Sequence, residues 1–152
     1  LNRRGWEKKA QELLLYQEHN NGVLSLLYID INDFKLINDN HGHDCGDQVL
    51  RIVAEIVKNQ IRTKDLIGWV GGDEFVALGH FGNQREANQF ASRLKDALRD
   101  LSIQIEGLDN IKVSASVGHV VFESAPASVT TMLKSADKSM YKAKKSYKLT
   151  NR

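Results

Sequence analysis

The sequence predicts an α/β fold of the α+β kind, a mixed or antiparallel sheet with helices packed on it. Three observations predict it. Helical and strand periodicities alternate along the chain, the apolar runs "DLIGWV" and "EFVALG" meet at Gly71-Gly72 as a tight hairpin, and "VLSLLYID" is the nearly all-apolar run of a buried strand. A hairpin makes its two strands antiparallel neighbours. Two-residue hairpin turns need positive φ, which glycine adopts without a Cβ clash.

The elements follow in order. Leu13, Leu14 and Tyr16 lie in a first helix that "NNG" breaks, and "VLSLLYID" then exposes Asp30 at its C-terminal end. After the irregular stretch "INDFKLINDNHGHDCGD", Val49, Val53, Ile56 and Ile61 recur at helical spacing, and the hairpin comes next. A helix over Gln84–Leu101 carries Ala87, Phe90, Ala91, Leu94, Ala97 and Leu98 as its inner stripe. "IKVSASVGHVVF" reads as one strand and Val129–Tyr147 as a last helix, with Pro126, the sole proline, in the loop between them. There is no repeat, low-complexity tract or linker.

Composition narrows the function classes. A chain of 152 residues with 41% hydrophobic and 26% charged content fits a single globular domain. Lys and Arg total 21 against 19 Asp and Glu, so no charged tail for nucleic acid or a membrane surface is expected, and anions must be bound locally. The longest apolar run, Val23–Ile29, is far shorter than a bilayer span. Cys45, the single cysteine, reads as a free structural thiol and fits a reducing cytoplasm. The abrupt start "LNRRGW" is expected of a piece excised from a longer protein, which itself could be membrane-anchored.

Adjacent acids at a strand entry call for an explanation, because strands disfavour Asp. Alternation would put Asp73 and Glu74 on opposite faces with different jobs. One reading makes both solvated gatekeepers at a hairpin tip. The other joins them to Asp30, since carboxylates from neighbouring strand ends form the incomplete oxygen cage that suits Mg²⁺ with water and substrate phosphates.

"GGDEF", preceded by "DINDFKLINDNHGHDCGD" and followed by "ADKSMYKAKKSYK", resembles the GGDEF domain of diguanylate cyclases. The resemblance runs over almost the whole chain. It implies a five-stranded antiparallel-centred sheet like that of polymerase palms and nucleotidyl cyclases. It implies that Asp30, Asp73 and the backbone carbonyl of Ile31 hold Mg²⁺ or Mn²⁺, with Asp73 and Glu74 as the catalytic acids. The substrate is then GTP: backbone amides around Phe34 and Lys35 contact its phosphates, Asn38 and Asp47 read guanine, and His43 supports the loop. A carboxylate such as Asp47 accepts from N1–H and the N2 amino group of guanine and repels adenine. Read alone, Asn38 is a turn residue and Asp47 a first-turn acid.

Lys144 and Lys148 match the basic pair that reaches the triphosphate, although Lys148 stands where Arg is usual and Tyr147 where Gly is usual. Lys134, Lys138 and Lys142 make a similar row, so a solvated helix face explains that spacing equally. "RTKD" places Arg62 and Asp65 in the pattern of an inhibitory site for the product, cyclic di-GMP, with Arg93 as its second arginine; the other reading is an Arg62–Asp65 surface ion pair. Trp69 stands where many members have Arg. Each chain would bind one GTP, so the resemblance implies a homodimer for catalysis, weak in this fragment because no heptad pattern holds it. The alternative function is a catalytically weak module that binds GTP or cyclic di-GMP and regulates an attached domain.

Overall fold

A computed structural model describes residues 2–99, 101–103, 110–126 and 128–150. In chain order the elements are α1 (Arg3–Glu18), β1 (Val23–Ile31), α2 (Phe34–His41), α3 (His43–Gln60), β2 (Leu66–Gly71), β3 (Glu74–Phe81), α4 (Gln84–Ala97), β4 (Leu101–Ile103), β5 (Ile111–Val113), β6 (Ala115–Phe122) and α5 (Val129–Thr150). Four strands form the central sheet in the order β2-β3-β1-β6, and β4-β5 form a separate ribbon. Every described pair is antiparallel.

The α/β class and the antiparallel centre are as the sequence predicts, while the described central sheet has four strands rather than five. "IKVSASVGHVVF" is two strands because Asn32 claims Ser114 at its middle. The Asn32 backbone N–H donates to the Ser114 carbonyl at 2.8 Å and its Nδ2 to the Ser114 hydroxyl at 2.9 Å. Below that point the chain pairs with β4, above it with β1.

β1 is apolar on both faces because both are covered. Leu27, Ile29 and Ile31 enter a core with Val49, Val53 and Val57 of α3 and Phe90 and Leu94 of α4. Leu24 and Leu26 enter a second core with Trp6, Ala10 and Leu14 of α1 and Met132 and Ala136 of α5. Period-two alternation therefore sends Asp30 to the side that α1 and α5 cover. Gly68 of β2 makes room there for Trp6, whose ring carbons stand 2.5–2.6 Å from where a Gly68 Cβ would lie.

Helix starts follow from capping. Asn2 Oδ1 accepts from Gly5 N at 2.8 Å to open α1, and Asn83 Oδ1 accepts from Glu86 N at 2.9 Å to open α4. The largest departure from the sequence reading lies between Asp30 and Val49. From Phe34 onward that stretch is helical in α2 and α3, broken only at Gly42, whose φ of +89° permits the junction. Its Asn, Asp, His and Gly residues conceal a stripe of Ile37, Cys45, Val49, Val53 and Val57, all buried. α4 ends at Ala97 rather than Leu101, which belongs to β4, and α5 runs three residues past Tyr147.

His119 of β6 makes stability depend on pH. Its Nε2 lies 2.7 Å from the fully buried Ser25 hydroxyl, and burial, then the Lys95 charge, lower its pKa to about 4 from 6.5. Between those values the unfolded chain takes a proton that the native ring refuses, so stability falls as pH drops from 6.5 to 4. The slope is at most about 1.4 kcal/mol per pH unit, and less for a ring that water partly reaches. Asp30, raised from 3.8 to about 7, has the opposite slope over much of this window. The expected result is therefore a difference: denaturant titrations from pH 7 to 4.5 should show a smaller acid loss in His119→Gln than in the unaltered chain. Parallel curves would contradict it.

Candidate active site

Asp30 lies one residue before the end of β1, with Glu74 of β3 as its cross-strand partner. Facing residues of an antiparallel pair share a face, so Glu74 points to the same side as Asp30. Asp73 is not in a strand. Gly71 pairs with Glu74 after a register shift at Trp69, so the two-residue loop is Gly72-Asp73 rather than Gly71-Gly72. Gly71 and Gly72 take φ of +136° and +51°, and the Trp69 indole N–H donates to the Gly72 carbonyl at 2.9 Å. The expectation of opposite faces for Asp73 and Glu74 is thus corrected, because alternation does not govern a turn residue.

The turn leans on β1. Ile31 N–H donates to the Asp73 carbonyl at 3.2 Å, and the Asp73 and Asp30 carboxyls share a hydrogen bond. Burial, then that bond, push Asp30 up to about 7 against the pull of Lys144. Two acids this close retain a proton unless a cation joins them. Lys144 of α5 supplies one positive charge: its Nζ sits 3.1 Å from Asp30 Oδ1 as an ion pair and donates to the Ile31 carbonyl at 3.2 Å. Glu74 is separately engaged. Burial, then the Glu74 carboxylate beside it, hold the Tyr28 phenol well above its usual range, and Glu74 Oε2 is buried with no hydrogen-bond partner.

These donors fit Mg²⁺ or Mn²⁺ in type: two carboxylates and a carbonyl, all hard oxygens. Among the described residues no three His, Cys, Asp or Glu side chains gather as a complete metal cage. An incomplete set suits a cation that shares its sphere with substrate phosphates.

The remaining candidates lie on α2, α3 and α5. Phe34 and Lys35 open α2, and its N-cap residue Asp33 makes no side-chain cap bond, so that carboxylate does not take their amides. Asn38 stands against Gly46 of α3 so closely that a Cβ at Gly46 would overlap its amide, and Asn38 Oδ1 is buried without a partner. His43 and Asp47 are exposed and four apart on α3, hence on one face. Lys148 is exposed on the last turn of α5.

Two contacts were not legible as motifs. Asn32, 5% exposed, accepts from Ser116 Oγ at 2.6 Å besides bonding Ser114, and so anchors the chain that follows β1. Tyr147 Oη donates to Asp33 Oδ2 at 2.6 Å. The position of Asn32 beside Asp30 was the available signal for the first.

Arg62 and Asp65 come together, but inward. The guanidinium donates to both Asp65 oxygens at 2.6–3.0 Å and to the His80 carbonyl at 2.9 Å, and it lies 4.1 Å from the Phe81 ring centre. Asp65 is buried, its side chain 1% exposed, so the surface ion pair is instead a partly buried clamp. Arg93 is exposed on α4, and no described contact joins it to Arg62. Arg62→Ala should therefore lower stability by about 2 kcal/mol, discounted for the guanidinium's partial exposure, by stranding the Asp65 carboxylate. Melting should show a fall of roughly 4–8 °C; an unchanged transition would contradict the clamp.

With this geometry in view, comparison with known proteins is decisive. The family model described as diguanylate cyclase, GGDEF domain, matches residues 1–149. The chain belongs to the GGDEF family. Diguanylate cyclase A of Treponema denticola is 35% identical over 122 residues, 80% of this chain and 33% of that protein. A cyclic di-GMP phosphodiesterase of Pseudomonas aeruginosa, NbdA, is 31% identical over 121 residues, 80% of this chain and 15% of that one. The crystal structure of the GGDEF domain of PA1120 (YfiN or TpbB) from Pseudomonas aeruginosa superposes with a TM-score of 0.88 at 28% identity, covering 96% of this chain and 91% of that one. The chain spans at most about a third of the length of these two curated relatives. No helix among the described residues of this GGDEF chain is long and apolar enough to cross a membrane.

Proposed function

We propose that this chain is a diguanylate cyclase, condensing two GTP molecules into cyclic di-GMP and two pyrophosphates. The observation that carries the reading is the meeting of the Asp30 and Asp73 carboxyls beside the Ile31 carbonyl, with a cation, Lys144 Nζ, already drawn to that oxygen cluster. A divalent ion, Mg²⁺ or Mn²⁺, supplies charge neutralisation to the triphosphate when bound. Asp30, Asp73 and Ile31 would hold it. Lys144 then turns from the acids to the triphosphate, joined by Lys148, while the Phe34 and Lys35 amides seat the phosphates. Asn38 and Asp47 read the guanine edge, and His43 supports them. Glu74, restrained beside Tyr28, completes the acidic side of the site.

One chain carries one such set, so the symmetric product requires two chains face to face, each GTP 3′-hydroxyl displacing pyrophosphate from the other's α-phosphate. Arg62, Asp65 and Arg93 are the proposed inhibitory product site. Arg93→Ala is its cleaner test, since Arg62 also supports the fold.

The test is to incubate the chain with GTP and Mg²⁺ and identify the nucleotide products across a range of chain concentrations. Cyclic di-GMP, with specific activity that rises with concentration, is expected. GTP bound without turnover at any concentration would favour the second reading, a module that binds GTP or cyclic di-GMP and regulates an attached domain. That reading draws on the same Lys144, whose ammonium occupies the Asp30 and Ile31 oxygens.

A further inference from the structure

The last turns of α5 touch the end of β1 and the turn that follows it. Lys144 reaches Asp30 and Ile31, and Tyr147, three residues on and so on the same face, reaches Asp33. Asp33 is the N-cap residue of α2 and the sole non-glycine residue with positive φ among those described, at φ +56° and ψ +31°. An N-cap Asp ordinarily adopts an extended conformation and accepts from the second or third amide of its helix. Here it makes no cap bond, and its carboxylate accepts from Tyr147 Oη at 2.6 Å instead. The Asp33 hydrogen bond, and secondarily burial, raise the Tyr147 pKa, as a phenol donating to a carboxylate should show.

We propose that Tyr147 is a positioning residue: its hydroxyl holds the Asp33 carboxylate away from the α2 N-terminus and so keeps the Lys35 amide, the second of the helix, free for the substrate's phosphates. This rests on the GTP reading above. Left to itself, a carboxylate at the N-cap is a built-in competitor for a phosphate, because both seek the same amides and the same positive end of the helix dipole. Asp tolerates the left-handed region better than most residues but gains nothing from it without a partner. The Tyr147 bond supplies that partner from another helix. The device lies in the pairing of Tyr147 with Asp33 across two helices.

Two measurements test it. Tyr147→Phe removes only the hydroxyl and should raise KM for GTP about tenfold with kcat within roughly twofold, since a charge-assisted hydrogen bond is lost and a competitor for bound phosphate gained. In an Asp33→Ala background, with no carboxylate to restrain, the same substitution should leave KM unchanged. An unaltered KM in Tyr147→Phe, or an equal rise in the Asp33→Ala background, overturns the proposal. The second measurement needs no nucleotide. Amide hydrogen exchange at Lys35 and Leu36, resolved by NMR, should become about fivefold slower in Tyr147→Phe as Asp33 swings in to cap α2. A tyrosine that merely held the loop together would give faster exchange on removal, and faster or unchanged exchange overturns the proposal. An unaltered chain that neither binds GTP nor makes product refutes the cyclase reading alone, because the exchange result stands apart from it.

Discussion

Asp73→Asn should abolish cyclic di-GMP synthesis while leaving the melting temperature within a few degrees. The side chain sits in the hairpin turn, outside the packed strands, and its structural bond to β1 is made by its backbone carbonyl, which the substitution keeps. A carboxamide preserves the shape but brings no charge to a divalent ion. Metal-assisted charge stabilisation is worth several kcal/mol in phosphoryl transfer, so a loss on the order of a thousandfold in kcat is expected. It also removes the neighbouring carboxyl that, after burial, helps to raise Asp30, so the Asp30 pKa should fall part of the way toward the ordinary carboxylate range. Product formation by chromatography and a thermal melt check both halves. Undiminished turnover would sink the assignment of Asp73 as a ligand.

Gly118→Ala should be the most damaging single methyl in the sheet. Gly118 lies in β6 under α5, and a Cβ there would overlap the Met140 backbone nitrogen and stand 2.6 Å from the Ala136 carbonyl and 2.7 Å from Met140 Cα. These are backbone atoms of a helix, which no rotamer change can move aside. Ordinarily Gly→Ala stabilises slightly through the unfolded chain, and here the close approach reverses the sign. Overpacking of this kind costs about 3 kcal/mol, which at this size is a fall of roughly 6–12 °C in melting temperature. Because α5 also carries Lys144 and Tyr147, lifting it should weaken GTP binding beyond the stability loss. A melt unchanged by the substitution would show that α5 does not sit so close.

The sequence could announce its hairpin, its buried central strand and the acids at their ends because those signals are local. A Gly-Gly pair beside apolar runs states a turn, a continuous apolar run states two covered faces, and an acid at a strand end violates propensity wherever the chain goes next. The GGDEF resemblance rests on the same local strings. The helical character of 34–48 was concealed, since its polar residues favour turns in isolation and only packing against the sheet reveals the stripe from Ile37 through Cys45 to Val49.

What tertiary structure alone decided is which groups meet. The one-residue displacement of the turn put Asp73 beside Asp30 rather than across the sheet from Glu74, because pairing register is a property of two strands and not of either. The sequence states that Arg62 and Asp65 are three apart, while the fold closes them inward over Phe81. It likewise determined that Lys144 and Tyr147 share a helical face. That this face lies over the loop after β1, so that a lysine reaches Asp30 and a tyrosine turns Asp33 from its own helix, depends on partners 114 residues apart, and no local pattern carries a contact of that range.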